Sequence, residues 1–129
     1  MGPEHATAAK VKGVKAIGGA WVHINYDEDK TAANPTPYHA AVYMGYDVAK
    51  KTFVSFCADS FGGYCNESSP GWNGDQMVFE GSTMVGGHAV PSRDNFSKKG
   101  ANELTHSSEM QGEDQKWAKV DEEHCKRAK

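Results

Sequence analysis

The sequence predicts an all-β protein built as one antiparallel meander, and three observations predict it. Residues 38–59 alternate apolar and polar side chains along two arms, Ala40, Val42, Met44 and Tyr46 and then Val54, Phe56 and Ala58, around a polar turn. That is the period of half-buried strands. Short runs of the same kind recur at even spacing down the chain, divided by Gly, Pro, Asn and Asp with few helical stretches, which indicates a barrel or a sandwich. The apolar residues also suit strands. Leu104 is the only leucine and Ile17 and Ile24 the only isoleucines, so Val, Tyr, Phe, Met, Trp and Ala must make the core.

Taken in order, residues 1–16 are rich in Ala, Lys and Gly with weak period and read as a flexible or edge segment ahead of a folded domain over 17–127. Strand one covers 21–26, with Val22, Ile24 and Tyr26 on one face and Trp21, His23 and Asn25 on the other. The stretch 27–37 contains two prolines and reads as a loop, because proline cannot donate to a ladder. Strands two and three form the central hairpin. A turn at 47–51 sets Tyr46 opposite Thr52, Met44 opposite Val54 and Val42 opposite Phe56, which places Ala41 beside Cys57 and His39 beside Asp59 on the reverse face. Strand four follows at 64–68, then a turn-rich loop over 69–75. Strand five, 76–81, points Met77 and Phe79 to one side and Gln76, Val78 and Glu80 to the other. Gly86-Gly87 breaks the next segment, strand six covers 90–96, and 98–100 reads as its closing turn. Strand seven, 103–110, groups Leu104, His106, Ser108 and Met110 on one face, and strand eight starts at Trp117 and ends near Cys125.

At 129 residues and 14.0 kDa, the chain is one domain, with room for a core but not for a second unit. Its apolar fraction of 38% is thin enough that an oligomer could complete the burial. A net charge of −3 and a pI near 6.0, with lysines scattered among acids, argue against nucleic acid and anionic lipid as partners. No apolar run approaches the ~20 residues of a membrane helix, and the first residues lack the apolar stretch of a signal peptide. On these features the chain reads as cytoplasmic, while a signal further upstream would place it in the periplasm or outside the cell. Gly2 is discounted as a myristoylation site because Pro3 follows it and position 6 is Ala.

Three cysteines make an odd count. Folding the chain about Phe61 brings Cys57 opposite Cys65, so a cross-strand disulfide is geometrically open and would leave Cys125 single. Three reduced thiols in a cytosolic protein are the plainer alternative.

The succession Gly45-Tyr46-Asp47, Lys51-Thr52-Phe53-Val54, Asp59-Ser60-Phe61-Gly62-Gly63, Gly71-Trp72-Asn73-Gly74-Asp75 and Lys116-Trp117-Ala118-Lys119-Val120, with Glu122, Cys125 and Arg127, resembles a bacterial domain family of unknown function, DUF1579. The likeness covers about residues 17–127. It implies a lipocalin-like, or calycin, barrel or half-barrel of about 7–9 strands, and it brings no substrate and no catalytic residue. Relatives of this kind usually begin further upstream, with an extra strand segment that often includes a cysteine. The resemblance therefore implies a missing N-terminal strand, an exposed sheet edge and a Cys125 free to bridge subunits.

His23, His39, His88 and His106 raise the question of a metal or haem, but no pair has the spacing of a zinc motif, so no metal and no cofactor is expected. For His39 beside Asp59, a surface ion pair is the simpler reading than a catalytic dyad, since neither Ser55 nor Ser60 sits on a nucleophile elbow. His106 shares a face with Leu104 and Met110 and must find a partner such as Arg93, Glu122, water or a ligand. In an open barrel His106 and Arg93 would orient a bound molecule against an apolar wall of Val42, Met44, Phe56, Met77 and Phe79. Trp72 and Trp117, beside turns, read as structural plugs. The sequons at Asn66 and Asn95 carry no weight without a secretory route.

Two expectations for function follow. One is a non-enzymatic barrel that binds a small apolar or amphipathic molecule. The other is a structural or interaction protein that forms a homodimer through an exposed sheet edge. An enzyme using His39 and Asp59, or His106, is a more distant third.

Overall fold

The computed structural model describes residues 6–128. The start of the expected 1–16 segment and the Gly2 position lie outside the described residues. Ten antiparallel strands run in chain order as β1 (Ala9–Ala16), β2 (Trp21–Glu28), β3 (His39–Asp47), β4 (Thr52–Asp59), β5 (Tyr64–Ser69), β6 (Trp72–Asn73), β7 (Gln76–Val85), β8 (His88–Gly100), β9 (Glu103–Gln111) and β10 (Trp117–Lys126). Nine of them pair in succession, β1-β2-β3-β4-β5-β7-β8-β9-β10, while the two-residue β6 pairs with β7. The meander curls into a half-barrel whose edges are β1 and β10. Among the described residues there is no α-helix; one 3-10 turn, Ile17–Gly19, joins β1 to β2. Accordingly, no helix there is long and apolar enough to cross a membrane.

The β3–β4 register corrects the sequence expectation by one residue. Asp47 faces Thr52, and the ladder continues with Tyr46 opposite Phe53, Met44 opposite Ser55 and Val42 opposite Cys57. The cause is a four-residue turn: the Lys50 N–H donates to Asp47 Oδ1 at 2.9 Å, and Lys51 takes the left-handed conformation at φ 52°. A one-residue slip sends a strand's side chains to the other face. Phe56 therefore lies on the convex side, opposite Tyr43 and 6.0 Å from the Trp21 ring, not in the inner wall. Ala41 faces Ala58 instead of Cys57, and Asp59 faces Ala40 instead of His39.

Two later strands run longer than their local signals suggest. Gly86 and Gly87, at φ 56° and 83°, make the tight turn that lets β8 pair with β7 along the whole of β7. Pro91 is tolerated inside β8 because the β9 ladder begins only at Ser92, so at Pro91 the strand is an edge. Lys98-Lys99-Gly100 is a bulge within β8, not its turn.

The concave face carries Val22, Ile24 and Tyr26 of β2, Val42 and Met44 of β3, and Ser55 and Cys57 of β4, which the ladders place in line. It continues through Cys65 and Glu67 of β5, Met77, Phe79 and Gly81 of β7, Ser92, Asp94 and Phe96 of β8, and Leu104, His106 and Ser108 of β9. Burial is concentrated where β5 meets β7 and β8: Cys65, Met77 and Phe79 form the apolar core, with Glu67, Ser69 and Ser92 buried beside them. Gly81 makes this possible, because a Cβ there would sit 2.1 Å from the Asn66 carbonyl oxygen. Only glycine lets β5 and β7 approach that closely.

Candidate functional site

The site lies at the β8–β10 end of the concave face, and the ladders explain how it assembles. His106 on β9 faces Phe96 on one side and Glu123 of β10 on the other, and Ser108 is flanked by Asp94 and Asp121. A bulge after Lys119 admits Val120 as an extra residue, which turns Asp121 and Glu123 inward together. The imidazole stacks on Phe96, with ring centroids 4.6 Å apart, and Phe96 in turn meets Phe79 edge to face.

Polar contacts then run as a chain across five strands. His106 Nδ1 lies 2.5 Å from Glu123 Oε2, and Nε2 lies 2.8 Å from Asp94 Oδ1. The Ser108 hydroxyl donates to the same Asp94 oxygen at 2.6 Å. Further in, Thr83 donates to Ser92 at 2.8 Å and Ser92 to Glu67 Oε1 at 2.6 Å. Glu67 is 2% exposed, and its other oxygen, unpartnered while the group is a carboxylate, donates to Asp94 once protonated.

The charge states follow from burial and neighbours. Burial first, and then the adjacent Asp94 carboxyl, raise the Glu67 carboxyl to about 8, so the neutral acid predominates at pH 7. Burial works against a charged imidazole, but hydrogen bonds to Asp94 and Glu123 outweigh it and raise His106 to about 10. For Asp94 burial acts upward, yet the bonds from His106 and Glu67 win and hold it below the usual carboxylate range. Tyr26 and Tyr38 are both raised, first by burial and then by carboxylates, Glu123 for Tyr26 and Asp59 for Tyr38. Phenols and acids thus face one another across the trough.

His106, Asp121 and Glu123 each offer one atom suited to a metal, and those atoms lie within 4.8 Å of one another.

The pattern of turn glycines, strand aromatics and acids is matched by the family model "Protein of unknown function (DUF1579)" over residues 1–127. The chain belongs to the DUF1579 family. No curated protein matches it. Membership supplies an uncharacterised family to go with the half-barrel, and roles within this DUF1579 chain rest on its own geometry.

Of the residues expected to form the site, Val42, Met44, Met77, Phe79 and His106 share the concave face. Arg93 does not. It is one residue out of phase with Asp94, so it projects from the convex side, donates to Glu109 from Nε at 2.6 Å and from an Nη at 3.2 Å, and covers the Trp117 ring at 4.2 Å. Phe56 is convex for the register reason given above. Cys57 and Cys65 stand opposite each other and form a disulfide, with Cα atoms 4.9 Å apart, and Cys125 is free. The expected His39–Asp59 pair is absent: His39 Nδ1 meets Asp27 at 2.8 Å on the exposed convex side. Asp59 instead accepts the N–H groups of Phe61 and Gly63, at 2.8 and 2.9 Å, and shapes the β4–β5 turn. Sequence reasoning missed the partners of His106, Asp94 and Glu123, and the buried Glu67. Period-two phasing from Cys65 would have found Glu67, and phasing from Phe96 would have found Asp94.

Proposed function

We propose that this DUF1579 chain binds a small amphipathic molecule in the trough of the half-barrel and does not transform it. One observation carries the reading: the concave face sets the part-exposed Val42 and Met44, backed by the buried Met77 and Phe79 of the same face, against a polar pole around His106. A fold of this kind could fill its trough with apolar side chains. Buried ionisable groups cost stability unless they are paired, so their concentration at one pole supports a binding site there. Both ring nitrogens of His106 face carboxylates, which leaves no free lone pair for proton abstraction and favours binding over catalysis.

The test is a titration with Nile red, a neutral amphipathic fluorophore. Saturable enhancement should appear with the native chain, disappear in Met44→Glu on the wall and persist in Val48→Glu in the β3–β4 turn. Absence of saturable enhancement, or enhancement that Met44→Glu leaves intact, rejects the reading.

A second reading, assembly with another copy, is favoured by area. A compact 14.0 kDa monomer exposes about 6,700 Å², whereas this chain exposes 9154 Å². The surplus is the size of one protomer's share of a large dimer interface. The open edges are also complementary, with Lys10, Lys12 and Lys15 on β1 and Asp121, Glu122 and Glu123 on β10. Sedimentation equilibrium should give a dimer that Lys10→Glu with Lys12→Glu dissociates, and a monomer at ~50 μM would remove this reading.

A further inference from the structure

We propose that His106, Asp121 and Glu123 bind a divalent transition-metal ion at the polar pole of the trough. The inference uses the pole of the site described above but not its apolar wall, so it can stand or fall separately from the amphipath reading.

Ligand atoms each about 2.0–2.2 Å from a common ion lie less than about 4.4 Å apart. The three candidate atoms already fall within 4.8 Å of one another, so a small closure suffices. They come from adjacent strands held by a regular ladder, and the bulge at Val120 is what turns Asp121 toward the same point as Glu123. His106 Nδ1 faces Glu123, and its Nε2 is held at 2.8 Å by Asp94, which Ser108 in turn fixes at 2.6 Å. A metal-bound histidine has this arrangement: one nitrogen on the ion and the other donating to a carboxylate that sets ring orientation. Phe96, stacked at 4.6 Å, fixes the ring plane.

Charge points the same way. Asp94, Asp121 and Glu123 gather about one imidazole, while Glu67, buried behind Asp94, is a neutral acid that adds no charge. The lysines and arginine in ion pairs elsewhere, Arg93 with Glu109, Lys119 with Glu122 and Lys126 with Glu103, serve none of the three. An added cation would balance that charge. One imidazole and two carboxylates suit Zn²⁺, Mn²⁺ or Fe²⁺ better than Ca²⁺, which requires six to eight oxygens. Coordination through Nδ1 displaces the proton on that nitrogen to solvent.

The test uses the full chain without an affinity tag, stripped with chelator and titrated with Zn²⁺, Mn²⁺ and Ca²⁺ by calorimetry, with stoichiometry read by native mass spectrometry. One Zn²⁺ or Mn²⁺ per chain is expected, with Ca²⁺ far weaker. His106→Gln and Glu123→Gln should each lower affinity by about 100-fold or more. Asp94→Asn, which of the three ligands touches only the histidine, should lower it about 10–100-fold, and Glu122→Gln on the convex side should leave it unchanged. Circular dichroism identifies any variant that fails to fold, and Asp121→Asn at the most exposed ligand then serves in its place. Failure to bind one ion, or binding that survives both His106→Gln and Glu123→Gln, overturns the proposal. Nile red enhancement measured in the same stripped protein shows separately whether the wall binds.

Discussion

The two walls of the half-barrel follow the same alternation but are finished differently. On β2 and β3 the concave residues Val22, Ile24, Val42 and Met44 remain partly or fully open to solvent. Trp21 with Phe56 and His23 with Tyr43 pack on the convex side, while Tyr26 meets Tyr38 at 5.9 Å within the trough. On β5, β7 and β8 the concave residues Cys65, Glu67, Met77, Phe79 and Ser92 are buried. At Gly81 the β5 and β7 backbones approach too closely for any Cβ, beside these buried residues. One wall is therefore partly open to solvent, and the other is a preformed core with ionisable groups built into it. Stability should come mainly from the second wall.

Core truncation breaks that comparison most directly. Phe79→Ala should cost about 3–5 kcal/mol in urea unfolding because the ring is buried and meets Phe96. Met44→Ala on the open wall should cost about 1 kcal/mol, since partial exposure discounts the transfer. Equal costs would mean that the walls are equally buried in solution. Glycine replacement sharpens the same contrast. Gly81→Ala drives a Cβ into backbone and should cost about 3 kcal/mol. Gly13→Ala on β1 meets only Ile24 and Val22 side chains, at 3.8 and 3.9 Å, and should be neutral or slightly stabilising.

The disulfide joins the walls at the β4–β5 seam. Replacing Cys57 and Cys65 together by Ser should cost roughly 2–3 kcal/mol through the freed eight-residue separation. In unreduced protein, iodoacetamide should modify Cys125 alone; modification of all three thiols would show that the bond does not form in solution.

The fold was legible because alternation is a local property. Val22, Ile24 and Tyr26, Met77 and Phe79, and Leu104, His106 and Ser108 could each be phased from their own strand, and the ladders group them as expected. What failed was anything that depended on a turn or a bulge. Asp47 capping Lys50 moved β4 by one residue and carried Phe56 to the convex side. The site was less legible for the same reason. The partners of His106 come from β8 and β10, and on β10 the extra Val120 breaks the phase that would have pointed to Asp121 and Glu123. Arg93 is adjacent to Asp94 in sequence, yet adjacency in a strand means opposite faces.

The finest probe of the contrast is the pH dependence of the buried acid, since the open wall has nothing equivalent. Glu67 is raised to about 8 by burial and by Asp94, whereas in the unfolded chain it titrates near ~4.3. Between those values the native state holds a proton that the unfolded state has released. Its contribution is thus complete below the unfolded pKa and is lost as pH rises toward and through about 8. A tenfold tighter hold on that proton in the native state than in the unfolded one corresponds to about 1.4 kcal/mol. With chelator present, the stability of the native chain should fall by at least that amount between about pH 5 and 8.5 relative to Glu67→Gln. The glutamine still accepts from Ser92 and offers Asp94 an N–H, so the two proteins should be close in stability at the acidic end. Parallel stability curves would show that water reaches Glu67 and that the second wall is as open as the first.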